Sequence, residues 1–123
     1  MIKLTFCLRR LPHLTREEFQ AHWIGAHRDI MIRNKRALGF RRYVQCHTID
    51  GDLAAAVSGS RGGPVPYDGT AEVWWDDMAA LERCLTSEAG RRAGRELVED
   101  EKRFIDLANS PVWLSEEKVD EAG

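Results

Sequence analysis

The period of the hydrophobic pattern changes along the chain in a fixed order, and that order limits the possible folds more than any single motif. In "IKLTFCLR", Ile2, Leu4, Phe6 and Leu8 alternate with Lys3, Thr5, Cys7 and Arg9, which predicts a strand with one buried face. "LPHL" interrupts it. "TREE" then opens a helix, with Thr15 as N-cap and Glu18 completing a capping box three residues later. Phe19, Trp23, Ala26 and Ile30 fall on one stripe at α-helical spacing, and Gly39 is the expected stop. "FRRYVQCHTI" predicts a second strand over 40–49 and "TAEVWW" a third. Asp76 and Ser87 are expected to cap helix through "DMAALERCL" and on to about Leu107. "SPVWLSEEKV" predicts a fourth strand, with Pro111 at its start where proline is tolerated. The order β-α-β-β-α-β implies an α+β, ferredoxin-like fold: a four-stranded antiparallel sheet with the helices on one face.

The 123 residues are expected to form a single domain. Residues 50–69, "DGDLAAAVSGSRGGPVPYDG", predict a long flexible loop suited to cover a pocket mouth, and residues 117–123 a short acidic tail. Helices on one side leave the other sheet face open. Depending on register, that face carries Trp74 and Trp113, or Trp75 with its neighbours, and is too apolar to stand bare. Two-fold pairing with a second copy is the simplest cover, so a homodimer through the open face is expected.

Charge and cysteine usage exclude several classes. Eighteen basic against 20 acidic side chains, net −2, leave no basic footprint for nucleic acid. The local arginine groups are interleaved with apolar residues and read as solvated faces. Cys7, Cys46 and Cys84 form no C-x-x-C, so neither a disulfide framework nor a zinc knuckle is predicted, and a reduced, cytoplasmic chain is expected. The N-terminal residues lack a secretory pattern, and no apolar run approaches the ~18 residues of a membrane helix.

"FQAHWIGAHRDIM" holds two of the four histidines. A helical metal pair needs a spacing of four, whereas His22 and His27 are five apart, roughly 140° around an α-helix. A shared metal is not expected. His27 follows Trp23 by four residues and falls at the edge of the buried stripe, where an imidazole can serve as acid or base near neutral pH. His22 reads as exposed helix surface. Tyr43 and His47 share a strand face and can join His27 in a pocket walled by Trp23, Trp74, Trp75 and Phe6. The carboxylates Glu96, Glu99, Asp100 and Glu101 read as a solvated ion-pair face, and Asp68 before Gly69 as a turn residue.

"LTREEFQAHWIGAHRDIM", "LGFRRYVQCHTID" and "YDGTAEVWWDDMAALERCLTSEAGRRAGRELVEDEKRFID" together resemble the EthD domain family over nearly the whole chain. The specific parts are the F-x-x-x-W-x-x-x-H run at Phe19, Trp23 and His27 and the D-G-x-A-E-x-W-W run from Asp68 to Trp75. The resemblance implies a dimeric α/β barrel with a pocket in each subunit and no metal or organic cofactor. It places His27 and Tyr43 at pocket positions used by isomerase-like members. The expected activity is cofactor-independent acid/base chemistry on a hydrophobic aromatic or polyketide-like compound: dehydration, isomerisation, decarboxylation or O₂-dependent oxidation. The alternative it implies is a non-catalytic ligand-binding partner of a P450-type degradation system.

Overall fold

A computed structural model describes residues 1–118. The strands β1 (Ile2–Leu8), β2 (Arg42–His47), β3 (Gly69–Trp75) and β4 (Val112–Glu116) form one antiparallel sheet in the order β2-β3-β1-β4. Between β1 and β2 lie α1 (Arg16–His22), a π-helical turn (Trp23–His27), α2 (Arg28–Arg33) and α3 (Lys35–Leu38). Helix α4 (Asp52–Gly59) lies between β2 and β3, and α5 (Met78–Thr86) and α6 (Glu88–Glu101) between β3 and β4. This is the ferredoxin-like α+β arrangement that the pattern implies. Of the expected acidic tail, 117–123, residues 119–123 lie outside the described residues.

Local chemistry accounts for most boundaries. Thr15 and Glu18 form the reciprocal capping box, and Gly39 ends α3 at φ 69°. Two boundaries differ from the sequence expectation. The cap of α5 is Asp77, whose carboxylate accepts from the Ala80 N–H at 2.8 Å, because Asp76 lies one residue too early. Helix α6 stops at Glu101, where a tight turn carries Phe104 and Ile105 into the core. The long connection is not wholly irregular either: its Leu-Ala-Ala-Ala-Val run has enough helix propensity to form α4, although no residue of α4 is buried.

The π turn shifts the phase of the buried stripe. Phe19, Trp23, His27 and Met31 are buried, each four residues apart, whereas Ala26 is exposed. The apolar partners come from the inner sheet face, where Leu4 and Val73 stand opposite each other, as do Phe6 and Ala71. One core cluster gathers Phe19, Trp23, Leu8, Ala71, Phe104 and Ile105; the other gathers Met31, Leu38, Phe40, Val73, Trp75 and Leu81.

Register settles which tryptophan faces the helices. Trp75 points inward, its indole N–H donating to the Leu38 carbonyl at 2.8 Å. Trp74 points the other way, so it is not a pocket wall as expected from sequence. Lys3 and Arg42 are its cross-strand partners, and their cations lie 5.0 and 4.8 Å from its ring. A Lys3–Glu72 ion pair at 2.7 Å adds to this outer face, which is more charged than expected, although Trp113 stands exposed on it.

Asp68 does more than serve a turn. It is 1% exposed, accepts from the Arg10 guanidinium at 2.6 Å and the Arg10 backbone N–H at 2.8 Å, and pairs with Arg16 at 3.2 Å. It thus ties the end of β1 and the start of α1 to the entry of β3. The next residue, Gly69, lies under the Trp23 indole. A Cβ there would stand 2.4 Å from the Trp23 ring and 2.6 Å from the Cys46 carbonyl oxygen. Gly69→Ala is therefore expected to lower stability by about 2 kcal/mol, read from the urea midpoint at unchanged m-value. An unchanged midpoint would contradict this packing of Trp23.

Candidate functional site

An α-helical turn would separate His22 and His27 by roughly 140°, but a π turn widens the path to i→i+5 and brings the fifth residue back to the same side. Both imidazoles therefore reach one carboxylate on α6. His22 Nε2 lies 3.1 and 3.0 Å from the two oxygens of Asp100, and His27 Nδ1 lies 2.8 Å from Asp100 Oδ2. His22 is consequently half-buried rather than free surface. Asp100 is 5% exposed, so the solvated-face reading of this carboxylate does not hold.

The protonation pattern follows. Burial pushes the Asp100 carboxyl up, but hydrogen bonds from His27 and His22 outweigh it and hold the group below its ordinary range. An ionised carboxylate only accepts, so His27 Nδ1 carries the hydrogen and Nε2 keeps its lone pair. Burial lowers the His27 pKa more than Asp100 raises it, which leaves the imidazole neutral at neutral pH.

His27 lines a cavity of about 470 Å³ between the helices and the inner sheet face. Its walls are mostly apolar, with Phe6, Trp23, Val73 and Trp75 among them, and its polar groups include His27, Tyr43 and Glu101. Glu101 Oε2 lies 3.9 Å from His27 Nε2. Burial, and secondarily the charge of Asp100, raise the Glu101 carboxyl to about 7, so this acid also departs from the solvated-face expectation. Burial likewise raises the Tyr43 phenol. The Tyr43 oxygen accepts from Gln45 Nε2 at 2.6 Å, which leaves its own O–H free to donate. His47 is not in the cavity wall. It stacks on Trp23 at 4.4 Å between ring centroids, and its Nε2 bonds the Gln45 side-chain oxygen at 2.8 Å.

The fold thus brings together His27, Tyr43, Trp23, Trp75 and Phe6, and leaves out Trp74 and His47. Asp100, Glu101 and His22 join the site against the sequence expectation. A signal for them exists: Gly90, Ala93, Leu97 and Phe104 trace a stripe on which positions 100 and 101 fall, so carboxylates there are due to face inward. Among the described residues no set of three His, Cys, Asp or Glu side chains is spaced to hold a metal, and no helix is long and apolar enough to cross a membrane.

A family model described as the EthD domain matches residues 11–108. An ethyl tert-butyl ether D (EthD) family protein from Bacillus halodurans is similar in structure, with a TM-score of 0.63, 18% identity, and coverage of 96% of this chain and 99% of that one. An EthD-like protein from Ralstonia eutropha gives 0.63, 16%, 98% and 95% in the same order. SnoaB, a cofactor-independent oxygenase from Streptomyces nogalater, gives 0.50, 18%, 97% and 98%. At these identities the likeness establishes a shared fold. No curated protein sequence matches the chain.

The Glu101 environment has a measurable signature. An ordinary glutamate titrates near 4.5, whereas folded Glu101 titrates at about 7. The folded chain holds the extra proton between those values, so the stability due to this group is full at low pH and is lost as pH rises through about 7. Glu101→Gln removes that dependence. The variant is expected to gain on the order of 2–3 kcal/mol over the parent between about pH 5 and 8, measured by urea unfolding at each pH. A constant difference across that range would contradict the raised pKa.

Proposed function

The chain belongs to the EthD domain family, and on that premise we propose that it is a cofactor-independent acid/base enzyme for a hydrophobic, enolisable aromatic or polyketide-like compound. The observation that carries this reading is His27 held by Asp100 at 2.8 Å, with its other nitrogen beside Glu101 in an apolar cavity. His27 and Tyr43 are the proposed catalytic residues, joined by Glu101, with Trp23, Trp75 and Phe6 binding the substrate.

In this reading His27 Nε2 removes a proton from a carbon next to a carbonyl. The C–H electron pair moves onto the carbonyl oxygen, where the Tyr43 O–H donates to the developing negative charge. Asp100 stabilises the imidazolium that forms, without taking the proton itself. Glu101, protonated for about half the time near neutrality, can return a proton to another atom. Reprotonation at a different carbon gives isomerisation, and loss of hydroxide with that proton gives dehydration. A substrate carboxylate leaving as CO₂ gives decarboxylation. Electron transfer from the enolate to O₂ gives oxygenation, the activity class of SnoaB. The reading includes a second copy of the chain across the open sheet face, supported by exposed Trp113 there.

Solvent-deuterium incorporation tests it. In D₂O the protein is expected to exchange the acidic carbon-bound proton of at least one compound from a panel of apolar enolisable ketones, followed by NMR. His27→Ala should slow that exchange by about 10²–10⁴-fold. Binding without exchange across the panel would overturn the enzyme reading in favour of a ligand-binding partner of an oxidase. Oxygen consumption during turnover would single out oxygenation as the net reaction.

The pH profile gives a second check. Net turnover should rise with pH as His27 loses its proton, below the ordinary histidine range, and fall as Glu101, the proton donor to the second atom, ionises near 7. Glu101→Gln should flatten the alkaline limb and leave the acidic limb in place. A profile indifferent to this variant would remove Glu101 from the proposed chemistry.

A further inference from the structure

Helix α6 carries two arginines that this chemistry leaves unused. Arg91 and Arg95 stand one turn apart, the spacing at which like charges repel on a helix surface. The nearby carboxylates that could relieve them are engaged elsewhere. Glu88 pairs with Arg92 at 3.1 Å, Glu99 with Lys102 at 3.0 Å, and Glu96 with Arg33 and Asn34. Among the described residues neither the Arg91 nor the Arg95 guanidinium has an ion-pair partner.

Both arginines line a groove of about 540 Å³ over α5 and α6. Its apolar wall consists of Leu38, Cys84, Leu85 and Val98, and the same four residues also wall the cavity that holds His27. Leu85 and Val98 are exposed at this border, 63% and 42% respectively. Gly94 leaves the helix side of the groove bare: a Cβ there would meet nothing within 4 Å. The groove thus adjoins the cavity, is apolar on one side, and carries on the other two unpaired planar cations together with Glu99, whose charge is offset by Lys102.

We infer that the groove is the outer half of the ligand site, and that the ligand is an amphipathic organic anion whose apolar body fills the cavity while its carboxylate-class group is held by Arg91 and Arg95. This rests on the cavity being the ligand site, as proposed above. Guanidinium groups suit the role because their planar fork matches a carboxylate with two parallel hydrogen bonds. An anion between the two side chains also relieves their mutual repulsion.

Two fluorescent probes of nearly equal shape test this: anilinonaphthalene sulfonate, whose sulfonate stands in for the carboxylate, and uncharged phenylnaphthylamine. The parent protein should bind the anion more tightly, and added salt should weaken only that probe. The double variant Arg91→Gln/Arg95→Gln should bind the sulfonate about tenfold more weakly and keep its affinity for the neutral probe. Arg95→Glu should act in the same direction. Thermal unfolding of each variant reports that the fold is intact. Equal responses of the two probes, or no response of either, would overturn the anionic subsite and leave the cavity reading standing. A parent protein that binds neither probe would overturn both.

Discussion

The buried carboxylate of Asp100 is the point on which the helical layer converges. An ionised group removed from water is costly unless its lone pairs are occupied, and breaking such a pair typically costs about 3–5 kcal/mol. Here the occupants come from a different part of the chain: His22 at the end of α1 and His27 at the end of the π turn, 78 and 73 residues away. The contact therefore fixes how the first helical run lies against α6. It also fixes which nitrogen of His27 carries the hydrogen, and so which one is free on the cavity side. The charge of Asp100 acts on its neighbour too, adding to the burial that keeps Glu101 partly protonated near neutral pH. One electrostatic arrangement thus sets the orientation of one titratable group and the ionisation of another.

A second buried carboxylate, Asp68, offers a comparison. Its partners are two arginines, which hold charge at any ordinary pH, and it lines no part of the cavity. Burial pushes its pKa up, but the Arg10 hydrogen bonds and charge outweigh this and hold it low. The same cost of burial is thus met in two ways. Permanent cations make a fixed strut at the base of α1, while the His27 imidazole, kept neutral by burial, makes a site that can take up and give back a proton.

Much of this is legible in the sequence. The period-2 runs, the Thr15 capping box and Gly39 predict the element order, because each rests on local backbone chemistry. The positions of His27 and Trp23 are legible because the hydrophobic period alone puts each of them on or beside a buried face, whereas for Tyr43 the sequence leaves the face open and the pairing register decides it. The departures from expectation have two physical sources. Trp74 and Trp75 are adjacent, so only the pairing register decides which faces inward, and register is a property of the partner strands. The roles of His22, Asp100 and Glu101 depend on the π turn and on long-range packing. A regular α-helical projection places the two histidines on opposite flanks, and charge composition alone makes the end of α6 look like open surface.

The π turn also makes the segment 23–27 unusual in what it tolerates. Elsewhere in a helix one residue more or less turns everything beyond it by about 100°; here the count can change by one without that rotation. Removing one residue from 24–26 would restore the regular pitch, and every position from Arg28 onward would keep its direction relative to α1, because the turn holds one residue more than an α-helical path needs. Met31, then seven residues after Trp23, would stay on the buried face, and His22 and His27, then four apart, would still face the same acid. In a regular helix a single-codon deletion acts as a frameshift in three dimensions, whereas within this turn it is absorbed locally. The phase of the helices on either side, rather than their length, is therefore what this turn protects.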